Sequence, residues 1–184
     1  KNKIVYQDEV EPNEPYLWRT GREVGAQFGY VVDRFYTSED FIDGQGGGDL
    51  KEGLAKPLVP VYPGDLKYKD LNNDGVIDPD DQCQVGFPTR PNYTFGLNVN
   101  ADYKGFFISM SWTGAAERSI ALADMFRKPF MGESRGLMQY QVDGRWTPET
   151  ASTAKYPRFS KISGEYNAYN SDTVSYTHLR AHET

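Results

Sequence analysis

Cysteine is nearly missing from this sequence: among 184 residues there is one, Cys83. That excludes an intrachain disulfide framework and a zinc site built on cysteines. Histidine is scarce as well, with two residues, His178 and His182, both in the final segment. No stretch approaches the roughly 18 uninterrupted apolar residues of a spanning helix, so a helical membrane protein is excluded. A transmembrane β-barrel stays open, because its strands alternate apolar and polar residues and keep mean hydropathy low. Here the mean hydropathy is −0.68. Positive charge is in deficit, with 20 Lys and Arg against 26 Asp and Glu, which argues against a nucleic-acid partner. An initiator Met and a signal peptide are lacking too, and we read this as a missing true N-terminus rather than as a sign of compartment. What is present in quantity is aromatic and turn-forming: 13 Tyr, 10 Phe and 3 Trp beside 18 Gly and 11 Pro. Such a composition favours strands and turns over long helices.

The two histidines have a separate explanation. They lie in Val174-Ser-Tyr-Thr-His-Leu-Arg-Ala-His-Glu-Thr184, a string that looks like a sequencing adapter translated in one frame. On that reading residues 174–184 are not part of the natural fold. Their removal takes away one Arg and one Glu, so the net charge stays at −6. It also leaves no histidine for catalysis or metal binding.

Along the chain, Ile4-Val-Tyr6 reads as a strand end before the acidic, Pro-containing loop 8–15. Residues 21–43 read as one or two strands. Gly44-Gln-Gly-Gly-Gly48 reads as a flexible linker or loop tip. Residues 57–69, with Pro57, Pro60 and Pro63, are expected to be extended. Ala115–Met125 fits a short helix, and residues 144–159 a long ordered loop. Cys83 is expected to be an inert loop thiol.

Residues 92–114 carry the clearest pattern. Tyr93, Phe95, Leu97, Val99, Ala101 and Tyr103 alternate with Thr94, Gly96, Asn98, Asn100 and Asp102, a strict period of two and hence a strand with one apolar face. After Lys104-Gly105 the apolar phase moves to Phe106, Ile108, Met110 and Trp112. A two-residue turn would pair Tyr103 with Phe106, Ala101 with Ile108, Val99 with Met110 and Leu97 with Trp112. Directly opposed residues share a face, so both apolar sets fall on one side. Such a face fits either the core of a soluble β-sandwich or lipid. Three details favour lipid: a strand of about 9–11 residues spans a tilted bilayer crossing, aromatics sit at both ends of the apolar band, and the opposite face is small or polar except for Phe107.

Asp70-Leu-Asn-Asn-Asp-Gly-Val-Ile-Asp-Pro-Asp-Asp81 has the spacing of an EF-hand-type calcium loop. Side-chain oxygens of Asp70, Asn72, Asp74, Asp78 and Asp81 fall at loop positions 1, 3, 5, 9 and 12, Gly75 takes the sharp turn, and Val76 offers its carbonyl. Position 12 is Asp rather than Glu, and no amphipathic helices flank the loop. A stack of Asx turns, with the same side chains bonded to their own backbone, is the competing explanation.

Several blocks together resemble one family. Tyr62-Pro-Gly-Asp-Leu-Lys-Tyr-Lys-Asp-Leu-Asn-Asn-Asp-Gly-Val-Ile-Asp78, Gly86-Phe-Pro88, Tyr93-Thr-Phe-Gly96 and Tyr103-Lys-Gly-Phe106 resemble the SusC/RagA family of TonB-linked outer-membrane receptors. Gly21-Arg-Glu-Val-Gly25 through Gly29-Tyr30, and downstream Arg145-Trp-Thr-Pro-Glu149 and Lys155-Tyr-Pro-Arg-Phe-Ser160, resemble the flanking segments in the same order. The resemblance covers nearly all of residues 1–173. It implies an all-β chain, a segment of a large antiparallel transmembrane β-barrel of about 22 strands with long extracellular loops. The membrane hairpin would be about 92–114 and the extracellular loops 37–91 and 115–165. The apolar set Tyr93, Phe95, Leu97, Val99, Ala101, Tyr103, Phe106, Ile108, Met110 and Trp112 would face outer-membrane lipid. The implied partners are a SusD-like surface lipoprotein, TonB through an absent N-terminal part, and an oligosaccharide or peptide to be imported across the outer membrane of a Gram-negative bacterium.

Three function classes follow. One is a fragment of a nutrient receptor, which binds and transports and makes no bonds. The alternative is a secreted, calcium-stabilised β-sandwich that binds glycans. An enzyme fits least, because no spacing marks an acid/base carboxylate pair. Arg127, Arg135, Arg145 and Arg158 with Trp146 and Tyr156 could line a substrate-binding surface, or be solvated loop residues. The implied cofactor is Ca²⁺ in the 70–81 loop, and no other.

Overall fold

The computed structural model describes residues 2–9, 13–121, 128–130, 136–161, 166–169, 171–172 and 175–176, the last pair by backbone alone. Expectations that fall on Arg127, Arg135 and most of the 174–184 tail lie outside these residues. Ten strands run in chain order: β1 (Gln27–Gly29), β2 (Val32–Phe35), β3 (Lys56–Pro57), β4 (Leu66–Tyr68), β5 (Val76–Ile77), β6 (Cys83–Gly86), β7 (Tyr93–Tyr103), β8 (Phe106–Ala116), β9 (Ile120–Ala121) and β10 (Ser175–Tyr176). Among the described residues one short helix, α1, covers Gln139–Gly144. The chain is therefore built mainly from strands. They associate as five two-stranded sheets: β1–β6, β2–β4, β7–β8 and β9–β10 antiparallel, and β3–β5 parallel. Among the described residues no helix is long and apolar enough to cross a membrane.

One part of the chain packs around a tyrosine-rich core. Tyr30, Tyr36, Phe41, Leu50, Val61, Leu66, Tyr68, Ile77 and Tyr166 are buried together. In β4 the period of two is visible: Leu66 and Tyr68 are buried, while Lys67 between them reaches Asp33 of β2 at 3.2 Å. The rings meet tilted or edge-on, Tyr30 to Tyr68 and Tyr68 to Tyr166 both at 5.0 Å between centroids, as the quadrupoles of aromatic rings prefer. Tyr68 donates its hydroxyl to the Tyr166 carbonyl at 2.8 Å. Burial pushes the hydroxyls of Tyr68 and Tyr166 well above the usual tyrosine range and that of Tyr36 up to about 12, so all three stay neutral.

The second part is the hairpin. β7 and β8 pair over their whole length with Tyr103 opposite Phe106, Ala101 opposite Ile108, Val99 opposite Met110 and Leu97 opposite Trp112, the register that the phase change dictates. Lys104 and Gly105 turn with φ of +48° and +86°, as a type I′ turn requires at both central positions. The apolar face is bare: Phe95 is 61%, Leu97 56% and Phe106 80% exposed. On the other face Ser109 donates to Asn100 Oδ1 at 2.7 Å, closing a polar cross-strand pair. Gly114 sits beneath the Phe95 ring, which leaves no room for a Cβ there.

Three local expectations are corrected. Gly44–Gly48 is a packed turn, not a flexible tip. Gly47 donates its N–H to the Val61 carbonyl at 2.7 Å, and a Cβ on Gly46, whose φ is +87°, would come within 2.8 Å of Tyr62 Cα. Ala115 and Ala116 are strand rather than helix, Glu117–Ser119 are a bend and coil, and Ile120–Ala121 is strand again; the remainder of that expectation, 122–125, lies outside the described residues. Ala115 and Ala116 continue the ladder opposite Thr94 and Tyr93, and extending a ladder already in register outweighs the few tenths of a kcal/mol by which alanine prefers helix. Cys83 lies in β6 rather than in a loop, half-buried, with its thiol pushed up by that burial. That rise keeps it protonated and unreactive.

Candidate functional site

The acidic loop is folded by its own side chains. Asp70 accepts from the N–H groups of Asn73 (2.6 Å) and Gly75 (2.9 Å). Asn72 Oδ1 accepts from Asp74 N–H (3.0 Å), and Asp74 Oδ1 from Val76 N–H (2.7 Å). Asp78 caps the single 3₁₀ turn Pro79–Asp81 by accepting from Asp80 N–H at 2.9 Å. Asp81 is fully buried and accepts from Leu71 N–H (2.7 Å) and Asp78 N–H (3.1 Å). Burial, the largest influence on it, pushes the Asp81 carboxyl above the usual carboxylate range. Asn73 and Gly75 take the left-handed conformations, φ +60° and +84°, that let five side chains turn back on the backbone. Among the described residues no three His, Cys, Asp or Glu side chains group as a metal holder. The geometry is that of stacked Asx turns.

The second candidate group, Arg145, Trp146, Tyr156 and Arg158, does assemble. Trp146 N–H donates to the Tyr156 carbonyl at 2.8 Å, and Arg145 and Tyr156 form a parallel bridge. Tyr156 lies against Gly144 at the end of α1 and against the Tyr140 ring at 5.6 Å. The Arg145 guanidinium sits over Phe159, 5.6 Å from its centroid, and donates to the Val142 carbonyl. All four residues are half-buried.

Arg158 is engaged inside the fold. Its Nε donates to Asp65 Oδ1 at 2.8 Å, and its guanidinium lies over Tyr62 at 4.5 Å. Asp65 is fully buried and accepts further bonds from Asn167 Nδ2 (2.9 Å) and Tyr62 N–H (2.9 Å). Asn167 in turn accepts from Leu66 N–H at 2.9 Å. Next to this pair, Gly64, at φ +92°, lies flat beneath the Trp146 indole, where any Cβ would collide with the ring. Two motifs separated by 93 residues are thus locked together by one ion pair and one ring-on-glycine contact. A buried carboxylate survives only with such complete pairing.

A search of known proteins bears on these motifs at this point. The chain is similar to stretches of TonB-dependent receptors. It is 24% identical over 137 residues to TonB-dependent receptor P3 of Formosa agariphila, covering 74% of this chain and 12% of that protein. It is 32% identical over 106 residues to TonB-dependent receptor P26 of the same organism, covering 58% of this chain and 10% of that protein. No protein-family model matches. The chain spans about a tenth of the length of the curated relatives it matches. These likenesses support the TonB-dependent receptor family.

Sequence reasoning named Arg158 and Trp146 for a surface role and gave Gly64, Asp65 and Asn167 none. Their signal was present in Tyr62-Pro-Gly-Asp65: an aspartate directly after a Pro-Gly turn and between buried neighbours needs a cation, and Arg158 after Pro157 is the one that arrives. The apolar set Tyr93, Phe95, Leu97, Val99, Ala101, Tyr103, Phe106, Ile108, Met110 and Trp112 lies on one face of one hairpin, as its register requires.

Proposed function

We propose that the chain is a segment of an outer-membrane nutrient receptor of the SusC/RagA type, a TonB-dependent transporter of glycans or peptides working with a SusD-like surface lipoprotein. The observation that carries the reading is the β7–β8 hairpin, 11 residues in each strand, with an uncovered apolar face and a polar opposite face. In water such a face is a liability; against acyl chains it is the stable arrangement, with Tyr93, Tyr103 and Phe106 at the interfaces. The Lys104-Gly105 turn is then a short periplasmic turn, and residues 37–91 and 115–165 lie on the extracellular side. Arg145, Trp146 and Tyr156 are the side chains we assign to substrate contact there. Arg158 contributes by holding that stretch to Asp65. The TonB contact belongs to a part of the receptor outside this chain. Residues 174–184 are read as adapter translation, and intact-mass measurement of the natural receptor tests that directly.

Surface labelling combined with fractionation of the full-length parent tests the main reading. Recovery in the outer membrane, with outer-loop residues labelled on whole cells, is the expected result; recovery as a soluble secreted protein would sink it. We also propose, on its oxygen spacing, that Ca²⁺ binds the 70–81 loop through Asp70, Asn72, Asp74, the Val76 carbonyl, Asp78 and Asp81. The Asx turns give this loop a fold that needs no ion, so calcium would add charge neutralisation rather than shape. Calorimetry on the intact receptor that registers no heat on calcium addition discards this part and leaves the transport reading standing.

A further inference from the structure

The two parts of the chain meet at a narrow neck. Ser119 N–H donates to the Pro88 carbonyl at 3.2 Å and Asn92 N–H to the Glu117 carbonyl at 3.3 Å. The Asn92 side chain binds Glu23 Oε2 at 2.6 Å and Glu117 Oε2 at 3.1 Å. Ser119 is fully buried and its hydroxyl oxygen accepts from Phe87 N–H at 2.8 Å, and Arg118 Nε donates to the Thr89 carbonyl at 2.8 Å. The chain thus leaves the packed part at Pro88 and re-enters it at Ser119, one hydrogen bond away. None of the buried residues that make up the tyrosine core, nor the half-buried Val32, Phe35, Leu54, Ala55 and Val59 packed on it, comes from 93–116. The ion pair that ties the far end of the chain in, Arg158 to Asp65 with Asn167, also bypasses the hairpin.

We infer that the described residues of 27–88 and 119–172 form one cooperative folding unit, into which the hairpin is inserted as an energetically separate appendage. The segments between membrane strands are then ordered by their own core rather than by the strands they connect. A protein opens in contiguous cooperative units, each with its own opening equilibrium, so the inference fixes which amides exchange together.

Hydrogen exchange followed by mass spectrometry on the full chain, in a mild detergent, reads this out with two substitutions. Tyr68→Ala removes the ring at the centre of the core and should accelerate exchange in peptides covering 61–77 and 156–169 together, by at least about a hundredfold. Peptides covering 93–116 should change less than about twofold. Val99→Arg should leave the core peptides within about twofold of the parent chain, whatever it does to the hairpin. Acceleration of both regions together by either substitution would overturn the inference. So would separate responses of 61–77 and 156–169 to Tyr68→Ala. Should Tyr68→Ala not fold, the conservative Tyr68→Phe, which removes only the hydroxyl bond to Tyr166, is expected to give the same pattern at smaller amplitude.

Discussion

The packed part and the hairpin use the same residue types to opposite ends. Tyr30, Tyr36, Phe41, Leu66 and Tyr68 are buried, while Tyr103, Phe95, Phe106 and Leu97 stand exposed. Composition does not separate the two regions; spacing does. In the packed part, strands of two to four residues contribute one or two side chains each to a core assembled across long loops. In the hairpin, 11-residue strands commit a whole face at once, and no element of the described chain covers it. One face is complete, regular and uncovered by the described chain, whereas the core is gathered from fragments.

The comparison can be broken most forcefully at Arg158. Arg158→Ala leaves the Asp65 carboxylate buried without its cation, a loss of about 3–5 kcal/mol in a denaturant titration followed by tyrosine fluorescence. A change below about 1 kcal/mol would mean that Asp65 is not held as described. Next comes Val99→Arg, which costs about 2–4 kcal/mol if the face meets lipid near mid-membrane, seen as reduced outer-membrane levels of the full-length receptor. In a water-facing strand the same substitution would be close to neutral, so normal levels would reverse the assignment of the face. Gly64→Ala combines a left-handed backbone with a collision against Trp146 and should lower stability by about 1–3 kcal/mol. Gly136→Ala, where nothing lies within 4 Å of a Cβ, serves as its control.

A pH titration sharpens the packed side of the comparison. The bidentate bond from Arg34 holds the Asp40 carboxyl down to about 2, below its value in the unfolded chain of about 3.9. A depressed folded-state value means that the stabilisation is fully present above about pH 4 and is lost as pH falls toward 2. Asp40→Asn should flatten that part of the stability–pH curve; an unchanged slope would show that the pair contributes nothing. Smallest of all is Ser109→Ala on the polar face of the hairpin, expected to cost about 0.5–1 kcal/mol or less because its bond to Asn100 is exposed.

The turn and register of the hairpin were legible because a period of two, a single phase change and a two-residue turn leave one register, although β8 runs two residues past the expected end at 114. The core was not, for a physical reason: β1 to β6 run two to four residues, too few for a period to be read from sequence alone, and their burial depends on partners such as Tyr166, about a hundred positions away from Tyr68. The glycine run 44–48 reads as flexible until Tyr62 and Val61 arrive to pack against it. Ala115 and Ala116 read as helix until the opposing strand is seen to extend past them. In the acidic loop, spacing alone does not reveal that side-chain oxygens of Asp70, Asn72, Asp74, Asp78 and Asp81 are already bonded to backbone N–H groups. The Asp65–Arg158 pair was half visible, since both residues sit in quoted motifs; only the fold joins them.

The neck at Pro88 and Ser119 has a consequence for how such chains can vary. Because the hairpin departs and returns at one point, residues can be gained or lost in matched pairs on both strands without moving anything outside it. Steps of two preserve which face is apolar. Strand length is therefore a free parameter that can follow the thickness of whatever layer surrounds it, while the tyrosine core and its ion pair change on their own evolutionary schedule.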